Sequence, residues 1–287
     1  MSGQTSEQDN TAQIAYWNDR AGETWTTFQE RLDTLFEPLT ALALDAAAPA
    51  FGERVIDIGC GCGASVLALA DRVGPAGHVL GLDVSEPMSA RARQRIAAAG
   101  KKNAEVLVAD AAAHGFARSD NDLLFSRFGV MFFADPVAAF VNLRRGMRSG
   151  GRLLCAAWRP LTENPWFSVP LEAARPLLPP QAQADPDAPG PFAFADRERT
   201  LGIFSRAGWH DVDLIRHDVP MKFAAAGQLQ QATEFATRMG ALARLLTEVD
   251  DKVRSAVRLA VAEALKDHDS PDGISLIGSI WLISARA

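Results

Sequence analysis

A glycine-rich turn, Gly59–Gly63, follows the apolar run Val55–Ile58 and is the first candidate for chemistry in this sequence. Glycine lets the backbone approach a ligand closely because it has no Cβ. The turn also holds two cysteines, but a metal site needs more ligands than Cys60, Cys62 and the distant Cys155 supply. A thiol redox motif has the spacing C-x-x-C, which this turn lacks. We therefore expect no metal, and we interpret the cysteines as small residues in a ligand-binding turn.

Three acidic residues accompany the turn. Asp57 lies two residues before the first glycine, Asp83 follows a later apolar run, and Asp110 follows another. The glycines and Asp83 match the dinucleotide fingerprint G-x-G-x-x-G/A, which has an acid about 20 residues on. However, an acid beside the glycines would repel a pyrophosphate, whereas it would stabilise a ligand with ammonium and sulfonium groups. Asp57 and Asp110 thus disfavour an NAD(P)-dependent oxidoreductase, which stays an alternative.

The segments around these residues predict a doubly wound α/β fold. Short apolar runs alternate with helical segments, which is typical of a parallel sheet with helices on both faces. Ligands bind such sheets at the carboxyl ends of the strands, where the glycine turn, Asp83 and Asp110 lie. The strands are predicted at Arg54–Ile58, His78–Leu82, Glu105–Ala109, Asp122–Ser126 and Arg152–Trp158, with later ones at Asp211–Phe223 and Ile274–Ala285.

Four segments in this order carry a family resemblance: VIDIGCGCGAS at 55–65, VLGLDVSEPM at 79–88, LVADA at 107–111 and RSGGRLLCAAW at 148–158. Together they resemble the class I S-adenosylmethionine-dependent methyltransferases. The chain is most similar to their ubiquinone/menaquinone biosynthesis methyltransferase-like (type 11) group. The resemblance implies a seven-stranded, Rossmann-like, mostly parallel sheet with an antiparallel last strand. It also implies S-adenosyl-L-methionine as the cofactor and S-adenosyl-L-homocysteine as the product.

The resemblance further implies roles for single residues. Asp57 would lie near the cofactor's amino group, Asp83 would bind both ribose hydroxyls, and Asp110 would accept from the adenine amino group. Met88 would pack on the adenine face and Ser126 would lie beside the methionyl portion. Taken singly, Asp83 and Asp110 could instead cap the segments that follow them, and Met88 could be a core residue. The implied cofactor-binding residues are Asp57, Gly59, Gly61, Gly63, Asp83, Val84, Met88, Asp110, Ala111 and Ser126.

The domain prediction is a single methyltransferase domain over 1–287. Residues after Trp158 lose the regular alternation, and the segment 226–267 is predicted to be helical throughout. Because the N-terminal helices of the family often fold over the cofactor, those of this chain are expected to form a lid. The predicted parts are a disordered tail at 1–10, the helical lid at 11–50, the cofactor-binding core at 51–158, and substrate cap insertions at 159–195 and 224–273.

Aromatic residues predict an apolar pocket for a small methyl acceptor, aromatic or otherwise apolar. Arg127 follows the fourth predicted strand, where it can bind an acidic acceptor through two hydrogen bonds or form an internal salt bridge. Helical spacing alone would place Tyr16 and Trp25 in a core, whereas the resemblance implies that they belong to a lid over the cofactor. The candidate substrate-binding residues are Tyr16, Trp25, Arg127, Trp158 and Trp166.

The sequence leaves the catalytic residue unknown. Methyl transfer is a direct displacement, in which positioning the acceptor supplies much of the rate. The candidate general bases are His114, His210, His217 and Glu163, and none stands out by its position. A non-methylating enzyme of the same fold, using the bound cofactor for another reaction such as an elimination, therefore stays open.

The net charge, the hydrophobic patterning and the cysteine count exclude other classes of protein. The formal net charge of −6 over 287 residues argues against a nucleic-acid partner, since such proteins usually carry a basic surface. The polar N-terminus lacks the order of a signal peptide, and the longest apolar run, Ile274–Ile283, is too short for a membrane span. Three cysteines do not make a disulfide framework. We expect a cytoplasmic protein with no membrane span that acts on a small molecule.

Overall fold

The fold was examined in a computed structural model that describes residues 5–116, 119–181 and 185–287. Single 3-10 turns lie at Val130–Phe132, Leu161–Glu163 and Arg175–Leu177. The helices are α1 (Thr5–Asn18), α2 (Arg20–Thr27), α3 (Gln29–Ala47), α4 (Ala64–Val73), α5 (Glu86–Ala98), α6 (Pro136–Arg145), α7 (Pro165–Ala174), α8 (Arg197–Arg206), α9 (Leu229–Arg238), α10 (Gly240–Leu245) and α11 (Asp251–Lys266). The strands are β1 (Arg54–Ile58), β2 (His78–Asp83), β3 (Ala104–Val108), β4 (Asn121–Arg127), β5 (Met147–Trp158), β6 (His210–Ala224), β7 (Asp269–Ser270) and β8 (Gly273–Arg286).

The strands form one mixed sheet in the order β3-β2-β1-β4-β5-β8-β6, with the two-residue β7 paired to β8. Neighbouring strands from β3 to β5 are parallel, whereas β8 is antiparallel to β5. Asp57 of β1 pairs with Gly81 of β2 and with Phe125 of β4, so the glycine turn lies between the ends of both neighbours. The predicted doubly wound, mostly parallel sheet with an antiparallel last strand is confirmed.

Local sequence explains why the central elements form. In β1, Val55, Ile56, Asp57 and Ile58 are all buried, as expected for a strand covered by helices on both faces. The start of α6 is fixed by the Asp135 carboxylate, whose Oδ1 accepts a hydrogen bond from the Ala138 N–H at 2.9 Å. These caps and buried runs hold the carboxyl ends of the strands, and therefore the loops that follow them, in place.

The chain divides into two compact units. The first comprises Met1–Trp158, Pro186–His217 and Ile280–Ala287, and the second comprises Arg159–Asp185 and Asp218–Ser279. The segments predicted as caps lie mostly in the second unit, although residues 186–195 belong to the first. The single-domain organisation and the cap function stay predictions.

Two boundaries differ from the sequence-based expectation. Helix α1 begins at Thr5 and thus extends into the predicted tail 1–10, of which residues 1–4 lie outside the described residues. The helix predicted over 226–267 is divided into α9, α10 and α11, because Met239 is extended at φ −117° and Gly240 has a φ of 66°. None of the described helices is both long and apolar enough to cross a membrane.

Candidate cofactor and acceptor site

The glycine turn connects β1 to α4 and has three glycines with positive φ. Gly59, Gly61 and Gly63 have φ values of 65°, 54° and 81°, a region that residues with a side chain rarely adopt. A Cβ on Gly59 would lie 2.4 Å from the Cα of Gly129, so this glycine allows two loops to pack. A Cβ on Gly61 would meet only the Met88 Cε, at 3.0 Å, within the described residues. Gly61 is therefore the part of the turn whose backbone is least enclosed by its own protein.

Asp83 at the end of β2 holds the glycine turn through its carboxylate. Its Oδ2 accepts from the Gly61 N–H at 2.7 Å, and its Oδ1 accepts from the Ser85 N–H at 2.8 Å. Burial raises the pKa of Asp83, and these backbone hydrogen bonds oppose that change. The residue that caps α5 is Ser85, not Asp83. Each carboxylate oxygen can accept two hydrogen bonds, so Asp83 keeps acceptor capacity for a pair of hydroxyl groups.

Asp57 is fully buried in β1, and only one of its oxygens is bound. Oδ2 accepts from the Ser65 hydroxyl at 2.5 Å, whereas Oδ1 has no hydrogen-bond partner among the described residues. Burial raises the pKa of Asp57 to about 7, although Ser65 and Arg127 favour its ionised form. A buried acceptor without a donor is costly, and an ammonium group would supply that donor. The site thus fits the cofactor that the resemblance implies.

Asp110 follows β3, and its carboxylate meets the N-terminal helix α1. Its Oδ1 accepts from the Ala112 N–H at 2.9 Å, and its Oδ2 accepts from the Asn10 side-chain amide. The Asn10 carbonyl oxygen in turn accepts from the Ala134 N–H at 3.3 Å. Ala111, beside Asp110, is buried. Sequence reasoning missed Asn10, because nothing in a polar N-terminal stretch indicates a contact with a residue 100 positions away.

The other predicted cofactor residues lie around the same strand ends. Met88 is buried with its Cε beside Gly61, and the Val84 carbonyl accepts from the Asn18 amide at 2.7 Å. The Ser126 hydroxyl donates to the Ile58 carbonyl at 2.7 Å and accepts from the Gly129 N–H at 3.2 Å. This hydroxyl therefore joins β4 to β1, and its predicted place beside the methionyl portion stays a prediction.

An aromatic cluster lies in the same unit as the glycine turn. Trp158, which ends β5, stacks on Phe128 with 4.1 Å between ring centroids and an interplanar angle of 6°. Phe36 of α3 lies 5.8 Å from Phe128, and Trp25 of α2 stacks on Phe36 at 6.1 Å. Phe128 has a φ of 68°, which is a costly conformation for an aromatic residue. Strained residues of this kind often occur near functional sites, where the surrounding structure holds them in place. The structure thus brings Trp25 and Trp158 together through Phe36 and Phe128.

Arg127 precedes Phe128 and lies against this cluster. Its guanidinium carbon is 5.3 Å from the centroid of the Phe36 ring, and its Nη1 donates to the Thr40 hydroxyl at 2.5 Å. Its Nε is buried and has no hydrogen-bond partner in the described part of the chain. Among the described residues, Arg127 has the neutral Thr40 hydroxyl as its side-chain acceptor and no salt bridge to a carboxylate, so the choice between a bound acid and an internal salt bridge stays a prediction.

The other two predicted substrate residues have different aromatic neighbours. The Tyr16 ring is 46% exposed and contacts Trp17, which in turn is 5.8 Å from Trp25. Trp166 belongs to the second unit, where its ring lies 6.3 Å from that of Phe223. Their roles toward a substrate stay predictions.

The alternative chemistries find less support at these residues. Glu163, weighed as a base, pairs with the Arg159 guanidinium. The three cysteines are free and buried, and burial raises the thiol pKa of each, that of Cys62 to about 11, which keeps them as unreactive thiols. Among residues 5–116, 119–181 and 185–287, no group of three or more His, Cys, Asp or Glu side chains could hold a metal ion.

Comparison with known proteins agrees with this geometry. Residues 55–151 match a family model described as a methyltransferase domain. The aklanonic acid methyltransferase DauC of Streptomyces sp. (strain C5) is 36% identical over 118 residues, which are 41% of this chain and 54% of that protein. The demethylmenaquinone methyltransferase of Lactococcus lactis is 33% identical over 104 residues, covering 36% of this chain and 41% of that protein. The chain thus spans about half the length of these curated relatives.

A solved structure shows the same fold. Phosphoethanolamine N-methyltransferase 2 of Haemonchus contortus, in complex with S-adenosyl-L-methionine, superposes with a TM-score of 0.59 at 15% identity, covering 95% of this chain and 59% of that chain. At that identity the match supports the fold alone. The family match and the named relatives confirm the resemblance seen in the sequence: residues 55–151 are similar to a methyltransferase domain, and the matched relatives are methyltransferases.

Proposed function

We propose that this chain is an S-adenosylmethionine-dependent methyltransferase that acts on a small, aromatic or otherwise apolar molecule. One observation supports it most directly: the buried Asp57 presents, beside the glycine turn, an oxygen that has no hydrogen-bond partner among the described residues. When bound, S-adenosylmethionine supplies a methyl group carried on a positively charged sulfonium sulfur. Asp57 would bind its ammonium group, Asp83 its ribose hydroxyls and Asp110 its adenine amino group. These three carboxylates also stabilise the positive charge of such a ligand.

An acceptor with an aromatic or apolar body is supported by the stacked pair of Phe128 and Trp158 with Phe36 beside it. Flat rings provide large contact areas for a flat apolar ligand. Two relatives are named for small molecules, aklanonic acid and demethylmenaquinone, which favours a small-molecule acceptor over a macromolecule. The same names disfavour both an oxidoreductase and a non-methylating enzyme of this fold.

The proposed lid role of the N-terminal helices is supported by contacts within the first unit. The Ser85 hydroxyl donates to the Trp17 carbonyl at 2.7 Å, and the Glu86 N–H donates to the Asn18 amide oxygen at 2.9 Å. Together with the Asn10 contact to Asp110, these hydrogen bonds hold α1 to the segments that follow β2 and β3. Both segments would contact the bound cofactor.

The test is a calorimetric titration of the purified chain with S-adenosylhomocysteine, repeated with Asp83→Ala. We expect wild-type binding at one site per chain and a loss of about 1–3 kcal/mol in Asp83→Ala, the usual cost of losing hydrogen bonds to a charged group. Asp45→Ala is the matched control, because Asp45 is an exposed acid on α3 that forms a surface ion pair with Arg72. Unchanged affinity in a folded Asp83→Ala variant would remove Asp83 from the site.

A further inference from the structure

Three arginines and one carboxylate form a partly buried group between α3, α5 and the glycine turn, here called the arginine cluster: Arg91, Arg95, Arg127 and Asp33. Asp33 Oδ2 accepts from Arg95 Nη2 at 2.6 Å, and Arg95 Nη1 donates to the Cys62 carbonyl at 2.6 Å. Arg91 donates to the Gln29 amide oxygen through Nε and Nη2, at 3.1 and 3.0 Å. Within the described residues, Asp33 is thus the one carboxylate that hydrogen-bonds to this group of guanidiniums, and of the three only Arg95 donates to it.

Arg127 is the buried member of the arginine cluster, and among the described residues it has no anionic hydrogen-bond partner. Its Nη1 donates to the Thr40 hydroxyl, and its Nε has no hydrogen-bond partner in that part of the chain. Burial lowers the pKa of Arg127; Asp33 and Asp57 oppose that change, whereas Arg95 adds to it. Arginine stays protonated in proteins, so a buried guanidinium without a carboxylate carries an uncompensated positive charge. A bound anion would neutralise that charge.

The guanidinium also adjoins the aromatic cluster. The Phe36 ring centroid lies 5.3 Å from the Arg127 guanidinium carbon and 5.8 and 6.2 Å from the centroids of the Phe128 and Trp158 rings. A positive group with planar donors therefore borders an apolar aromatic surface, at the end of the strand beside β1. Guanidinium groups bind carboxylates through two parallel hydrogen bonds, which a neutral amide cannot match.

We infer that the methyl acceptor is an aromatic carboxylic acid, whose carboxylate is bound by Arg127 and whose ring lies against the aromatic cluster. This inference rests on the proposed function, because it names the acceptor class of that site. Arg127 then acts as a specificity-determining residue, which selects an acid over a neutral molecule of the same shape.

The same guanidinium could serve a different anion, the carboxylate of the cofactor itself. The two possibilities differ in which ligand's affinity depends on Arg127, that of the acceptor or that of the cofactor. If Arg127 binds the acceptor, its removal changes the preference for acids in the enzyme already saturated with S-adenosylhomocysteine. If it binds the cofactor, its removal weakens S-adenosylhomocysteine binding and leaves that preference in place.

The experiment measures binding of 2-naphthoate and of the isosteric 2-naphthamide to the chain saturated with S-adenosylhomocysteine, for wild type, Arg127→Gln and Arg127→Lys. We expect wild type to prefer the acid by roughly 10- to 100-fold, the range of a charge-assisted hydrogen-bonded pair. Arg127→Gln should bind both probes equally, and Arg127→Lys, which keeps the charge without the planar fork, should show an intermediate preference. Arg145→Gln is the matched control, since Arg145 is an exposed arginine in the last turn of α6, and it should keep the wild-type preference.

Several results would overturn the inference. Wild type with no preference for the acid, including no measurable binding of either probe, would do so. So would an undiminished acid preference in Arg127→Gln, or a loss of S-adenosylhomocysteine affinity in that variant with the preference intact. Arg127→Lys keeps the test decisive if Arg127→Gln does not fold, because loss of the fork alone should reduce the preference. Absence of S-adenosylhomocysteine binding by wild type would instead refute the proposed function. The calorimetric titration described above detects that outcome separately.

Discussion

Binding of the cofactor is predicted to release a proton from Asp57. The carboxyl group is fully buried and its pKa is raised to about 7 from an ordinary value of 3.8, mainly by burial. A large part of Asp57 is therefore protonated at neutral pH, in surroundings that also hold Arg127, Asp83 and the neutral thiols of Cys60 and Cys155. A ligand ammonium beside the unpartnered Oδ1 favours the ionised form, so the proton leaves when the ligand binds.

The size of the effect follows from the pKa. We take the pKa of Asp57 in the ligand complex to be well below 6. At about pH 6, Asp57 must then lose its proton before it can bind the ligand ammonium, whereas at about pH 8 it is already ionised. S-adenosylhomocysteine should therefore bind about tenfold more tightly at about pH 8 than at about pH 6. Titration calorimetry in buffers with different ionisation enthalpies counts the released protons directly.

The same group makes folding stability depend on pH. The folded-state pKa of Asp57 lies above its unfolded value, so between about 4 and 7 the folded chain binds more protons than the unfolded chain, and stability falls as pH rises. Between about pH 5 and pH 8 this group should reduce the free energy of unfolding by about 3 kcal/mol. Urea unfolding at both pH values measures that loss.

Asp57→Asn is the control for both measurements, because an amide has nearly the same shape and can still accept from the Ser65 hydroxyl. It should remove the proton release and the part of the stability loss assigned to Asp57. The reasoning is refuted if Asp57→Asn keeps the wild-type pH dependence of S-adenosylhomocysteine binding, or if wild type releases no proton at about pH 6.

Two further predictions concern the loops around the site. Gly59→Ala should lower the free energy of unfolding by about 2–4 kcal/mol more than Gly100→Ala. Both glycines have positive φ, but of these two only Gly59 is packed against a neighbour, the Gly129 backbone. Equal losses in urea unfolding would contradict this prediction. Asn10→Ala should tighten S-adenosylhomocysteine binding by roughly 2- to 10-fold, because the Asn10 amide occupies the Asp110 oxygen expected to accept from adenine. Weaker binding would mean that Asn10 itself helps to bind the ligand.

The order of the central elements was predictable because its signals are local. Strand β1 was predicted with its observed bounds, and Asp135 with Pro136 marked the start of α6. Ligands bind parallel sheets at the carboxyl ends of the strands, and Asp83 and Asp110 both lie at such ends. The sequence therefore predicted both residues near the glycine turn. Gly240 was the residue overlooked in the C-terminal helical segment, where a glycine with positive φ separates α9 from α10.

The side-chain partners at the site were not predictable in the same way. Arg127 was expected either to bind an acid or to form a salt bridge, and only the fold shows that its neighbour is the Thr40 hydroxyl. The Asn10 contact joins residues 100 positions apart, and no spacing rule indicates it. The positive φ of Phe128 depends on how its loop packs, which aromatic composition does not reveal. Such features are determined by tertiary packing and carry no periodic signal.

The central claim, that this glycine turn and its three acids form an S-adenosylmethionine site, is tested most directly by equilibrium binding to the wild-type chain. Titration with S-adenosylhomocysteine, with NAD and NADP as the competing ligand class, needs no knowledge of the methyl acceptor. We expect saturable binding of S-adenosylhomocysteine at one site per chain and no response to either dinucleotide. Saturable binding of NAD or NADP without binding of S-adenosylhomocysteine would contradict it.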